Sequence, residues 1–136
     1  MSFTVAFSGS RGFDEPRIVA WTIRRLVNQH PSSPAGAGLV IQVGDCPTGA
    51  DPLVAKEATR WGIWPDVKVC YWPPEGATKR ERWLAAHERN GRVVAGADRL
   101  IAFFAPGPLT PGTSDAVAQA QHLGIPVYAY HEGRWL

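Results

Sequence analysis

Five short apolar runs, each closed by a turn rich in glycine or proline, restrict what this chain can fold into. Phe3-Thr4-Val5-Ala6-Phe7, Leu39 to Val43, Val67 to Trp72, Leu100 to Phe104 and Pro126 to Tyr130 are continuous in hydrophobicity rather than alternating. That is the pattern of strands buried on both faces. Between them apolar residues recur at helical spacing: Val19, Ile23, Leu26 and Val27, then Val54, Ala58 and Trp61. A stripe through Trp83, Ala86, Asn90, Val93 and Val94 marks Lys79 to Ala95, and Ala116, Ala120 and Leu123 precede a stop at Gly124. Strand and helix in strict alternation predict a three-layer α/β domain. Its sheet is expected to be five-stranded and parallel, in the order 3-2-1-4-5, with helices on both faces. At 136 residues the chain makes one domain, 1–136, and Pro31 to Gly38 reads as a loop within it.

In such a sheet, ligands sit beyond the carboxyl ends of the strands where the strand order reverses. Three turns gather there: Ser8-Gly9-Ser10-Arg11-Gly12, Gly44-Asp45-Cys46-Pro47-Thr48-Gly49-Ala50-Asp51, and Phe104 to Ser114. Glycines in all three are expected to leave room for a ligand against the backbone. Asp51, just before Pro52, reads as the N-cap of its helix, and Asp14 as that of the first helix. The last helix opens instead on Gly112-Thr113-Ser114, neutral groups whose donors are open to a phosphate, with Arg11 as counter-charge. Asp115 either stabilises that helix dipole or supplies a carboxylate to the site. Asp45 and Asp51 serve either as turn and cap residues or as acceptors for ribose hydroxyls.

Composition removes several other classes. Hydrophobic residues at 45% and charged residues at 19% describe a globular chain. A formal charge of +2 does not announce a polyanion partner, so a nucleic-acid role needs a local patch. Lys79, Arg80, Arg82, Arg89 and Arg92 on the third helix are the stripe expected to form it, with Trp72 or Trp83 stacking a base. Cys46 and Cys70 match neither a disulfide framework nor a zinc site, which makes a reducing cytoplasm the expected setting. No apolar run reaches the ~18 residues of a membrane span. His30, His87, His122 and His131 read as surface or helix positions, with none placed by the sequence to activate Cys46.

Gly9-Ser10-Arg11, Val43-Gly44 through Gly49-Ala50-Asp51, Arg89-Asn90, Ala97-Asp98 before Ala102-Phe103-Phe104, and Gly112-Thr113 taken together resemble the YspA/YpsA-like branch of the SLOG superfamily. The matching blocks span nearly the whole chain. The resemblance implies a Rossmann-like domain that binds a nucleotide or nucleotide-derived small molecule, as sensor or carrier, and often assembles as a homo-oligomer. It implies no further cofactor. Carried over block by block, Gly9, Ser10 and Arg11 match the first phosphate-side turn and Gly44, Gly49 and Asp51 the second. Arg89 and Asn90 match a pair facing the ligand, and Gly112 and Thr113 the phosphate turn. The related LOG-type phosphoribohydrolases cleave the N-glycosidic bond of nucleoside monophosphates with a glutamate three residues after the turn threonine. Ala116 stands there, and Asp115, one residue earlier, is rotated by about 100° on a helix. The catalytic group is therefore unassigned, with Asp115, Asp51 and Asp45 as candidates. The second turn is also similar to that of the DNA-processing protein A family, which implies single-stranded nucleic acid as a further alternative.

Overall fold

A computed structural model describes residues 2–30 and 38–136. All but the last residue of the expected loop from Pro31 to Gly38 lies outside the described residues. The elements run β1 (Phe3–Gly9), α1 (Pro16–Gln29), β2 (Leu39–Gly44), α2 (Ala50–Arg60), β3 (Asp66–Lys68), α3 (Lys79–Val94), β4 (Arg99–Phe104), α4 (Pro111–His122), β5 (Val127–His131) and β6 (Arg134–Trp135). The sheet order is β3-β2-β1-β4-β5-β6, with β1 paired in parallel to both β2 and β4.

The sheet is mixed and six-stranded, not the five-stranded parallel sheet expected. β6 folds back antiparallel on β5, pairing Tyr130 with Trp135 and His131 with Arg134. The two intervening residues, Glu132 (φ 50°) and Gly133 (φ 81°), both take positive φ, as the tightest hairpin turns require. β3 is shorter than the run from Val67 to Trp72. Cys70 N–H donates to Asp45 Oδ2 at 3.0 Å instead of extending the ladder with β2.

Two apolar layers sandwich the sheet. Val5, Phe7, Ile41, Val43, Ile101 and Phe103 face α1 and α2, while Ala6 and Leu100 face α3 and α4. This is the parity a strand imposes on successive side chains. Helix starts differ from expectation at two places. Glu15, not Asp14, precedes α1, and its carboxylate accepts from Tyr130 Oη at 3.1 Å. α2 is preceded by Gly49 at φ 86°, so Asp51 is its second residue rather than its cap. Pro52 is tolerated there because the first helical turn has no intrahelical acceptor for its missing N–H. α3 begins with a reciprocal capping box between Thr78 and Glu81. No helix among the described residues is long and apolar enough to cross a membrane.

Candidate functional site

The carboxyl ends of β1, β2 and β4 carry the three turns to one edge of the sheet, and packing between them fixes their shape. Ser10 N–H donates to Phe103 O at 2.9 Å, and Ala50 N–H to Ser10 O at 3.3 Å. A Cβ on Gly9 would collide with Ala50 and stand 2.8 Å from Phe103 O; one on Gly49 would collide with the Ser10 carbonyl. A Cβ on Gly44 would press to 2.8 Å from the Asp51 carboxylate. The absence of a side chain at these three positions is therefore required by the packing of the protein itself. Gly112 differs, because a Cβ there would meet nothing within 4 Å.

Between the turns and α3 lies a cleft of about 350 Å³. Gly9, Ser10, Arg11, Gly44, Asp51, Arg89, Asn90, Gly112 and Thr113 line it, as do Cys46, Trp72 and Thr110. Asp45, Gly49, Ser114 and Asp115 do not line it. Thr110 is not among the residues expected to bind, nor are Ser8 and Gly12, which also line the cleft. Thr110 precedes α4, its hydroxyl lies 2.6 Å from Ser10 Oγ, and it donates to Thr113 Oγ1 at 3.3 Å. The signal was present in Thr110-Pro111-Gly112-Thr113, a hydroxyl residue before a proline at the first helical position.

On the β2 side of the cleft the charges are matched within the protein. Arg89, buried, donates from Nη1 to Asp45 Oδ1 at 2.5 Å and from Nε to Asn90 Oδ1 at 3.1 Å, with Nη2 3.9 Å from Cys46 Sγ. Asp45 uses its other oxygen on Cys70 N–H, and Asp51 Oδ2 accepts from Cys46 N–H at 3.1 Å. Burial pushes the Asp51 carboxyl above its ordinary pKa, against the opposing pull of the Cys46 N–H and of Arg89. Burial also works against the charge on Arg89, but Cys46, Asp51 and Asp45 around it more than offset this and raise its pKa.

On the α4 side Gly112 is exposed and Thr113 is buried. The first bond of the helix runs from Ser114 N–H to Thr110 O at 3.0 Å. This removes Ser114 from the expected set of donors and leaves the Gly112 and Thr113 N–H groups ahead of it. Arg11, exposed and also in the lining of the cleft, is in no ion pair among the described residues.

Asp115 is held away from the cleft. His87 Nδ1 lies 2.8 Å from its Oδ1, while Asn90 Nδ2 and Gln119 Nε2 each donate to its Oδ2 at 3.0 Å. Asn90 also donates to Gly112 O at 3.2 Å, so this cluster ties α3 to the start of α4. The expected basic stripe on α3 is depleted for a similar reason. Arg89 is buried, and Arg92 bonds Glu88 and Val69 O while stacking on Tyr71. No family model and no curated protein matches this sequence.

Proposed function

We propose that the protein binds a phosphorylated, nucleotide-like small molecule at the carboxyl edge of its sheet, as a sensor or carrier. The observation that carries this reading is the start of α4, where the Gly112 and Thr113 N–H groups precede the first helical hydrogen bond, in a cleft also lined by Arg11, which is in no ion pair among the described residues. A helix N-terminus with no acid in its first turn favours an anion, and a guanidinium adds a charged donor. A cleft of about 350 Å³ falls within the range used by small ligands. Trp72, also in the lining of the cleft, offers a planar surface for a base. The resemblance to the YspA/YpsA-like branch of the SLOG superfamily points the same way and adds homo-oligomer formation, which sedimentation tests.

The experiment is thermal unfolding against a panel of nucleoside 5′-phosphates. A ligand at a hundred times its Kd stabilises the native state by about 2.7 kcal/mol. Arg11→Ala is expected to weaken binding about tenfold or more, the magnitude of one charge-assisted hydrogen bond. Thr113→Val, close in shape, is expected to reduce it less. Undiminished stabilisation in both variants would falsify the placement.

A second reading, N-glycosidic hydrolysis of nucleoside monophosphates, is favoured by one observation. Asp51 is the only carboxylate lining the cleft among the described residues, and its pKa is raised, the direction a general acid needs. Chromatographic detection of free base from the same panel separates the two readings, because binding alone releases none.

A further inference from the structure

Away from the cleft, α1 and the β4–β6 half of the sheet enclose a second groove, of about 560 Å³. α1 and α2 share one face of the sheet, and α1 leaves this half open along its flank. Trp21, Tyr128 and Trp135 line the groove and are 40%, 46% and 39% exposed. The Trp21 and Trp135 rings stand 6.4 Å apart. Arg25 lies over Trp21 at 5.0 Å, and Arg99 lies between Phe3 at 5.2 Å and Tyr128 at 4.9 Å. Stacking orders these guanidiniums without using their N–H donors, which, among the described residues, are available to an oxyanion.

The charge continues beyond the groove. α1 contains Arg17, Arg24 and Arg25 and no acidic residue, and the first two lie about one helical turn to either side of Trp21. Among the described residues no carboxylate lines the groove. Neither these arginines nor Arg99 form an ion pair among the described residues.

We propose that this face binds single-stranded nucleic acid, with bases against Trp21, Tyr128 and Trp135 and phosphates on Arg25, Arg99 and the arginines flanking Trp21. Exposed rings interleaved with unpaired cations are the two components a single strand requires. A row of carboxylates on a protein partner would match the arginines but leave the rings without a planar group to stack on. A duplex hides its bases. The proposal is independent of the cleft: it uses other residues on another part of the sheet.

The test is fluorescence anisotropy of a labelled oligodeoxythymidylate and of a duplex of equal length, between about 50 and about 200 mM salt. The single strand is expected to bind more tightly, with affinity falling as salt rises. Arg25→Gln with Arg99→Gln is expected to lower the salt slope by about 1.4, at about 0.7 per phosphate contact. Trp21→Ala is expected to weaken binding about tenfold, the scale of one stacked base. Arg25→Gln alone, at an exposed helix position, keeps the test open if the double variant does not fold. Arg11→Ala, which weakens nucleotide binding in the cleft, is expected to leave the oligonucleotide affinity and its salt slope as they are. The proposal is overturned by absence of binding, by loss of binding in Arg11→Ala, or by loss in Arg80→Gln with Arg82→Gln and not in the groove variants. Equal binding of polyglutamate, insensitive to Trp21→Ala, also overturns it and assigns the face to an acidic protein.

Discussion

The turn after β2 and the start of α4 both carry glycine and border the same cleft, yet their polar groups are arranged in opposite ways. Against the β2 turn Arg89, from α3, is held by Asp45 and flanked by Asp51, whose carboxylate in turn accepts from Cys46 N–H. At α4 the Gly112 and Thr113 N–H donors and the Arg11 charge have no such partner among the described residues. A polar cluster satisfied within the protein acts as framework, because replacing its partners leaves buried charge exposed to a low dielectric. An unsatisfied one at a cleft is where an added anion gains most. Glycine content alone does not separate the two, whereas the space around each glycine does.

The largest expected effect breaks the framework side. Arg89→Ala leaves Asp45 and Asp51 without their cation and is expected to cost about 3 kcal/mol, the low end for a buried pair because Asp45 is partly exposed. Urea denaturation measures it, and a loss below about 1 kcal/mol would show that Arg89 is held for a ligand rather than for the fold.

Next comes a pair of identical substitutions with opposite readouts. Gly49→Ala meets both positive φ and the Ser10 carbonyl, and is expected to cost about 2 kcal/mol or more. Gly112→Ala sits in a helix with open space around its Cβ, so stability is expected to hold or rise by up to about 1 kcal/mol. That same methyl group obstructs the cradle, and nucleotide-induced stabilisation is expected to fall. Equal stability losses in the two variants would erase the contrast.

The smallest effect is a pH slope. Asp51 has a raised pKa in the folded state, so between the ordinary carboxylate value and the folded value the native protein holds a proton that the unfolded chain has released. Stability from this group is complete at low pH and is lost as pH rises through the folded pKa. Asp51→Asn is expected to flatten the curve of unfolding free energy in that interval, and an unchanged slope would contradict the burial.

Much of this architecture could be read from residue order. Continuous apolar runs marked β1, β2, β4 and β5, and the spacing of Val19, Ile23, Leu26 and Val27 marked α1. Arg11, Gly112 and Thr113 stood out because a cation and a neutral helix start are local features. What escaped was set at a distance. Asp45 pairs with a residue 44 positions away, and Asp115 is drawn to His87 and Asn90 across 28 and 25 positions. No local rule orients such side chains. β3 was overestimated because Cys70 N–H is diverted to Asp45, again a distant partner. β6 had a local signal in Glu132-Gly133, but a two-residue strand is too short to show periodicity.

Amide chemical shifts on adding a nucleoside 5′-monophosphate test the contrast most directly. The largest changes are expected at Gly112 and Thr113, with Arg11 following and the bonded amides of Cys46 and Cys70 nearly still. Large movement at Cys46 and Cys70 with Gly112 and Thr113 unmoved would contradict the account, because the anion would then be displacing Asp45 and Asp51 rather than filling the open start of α4.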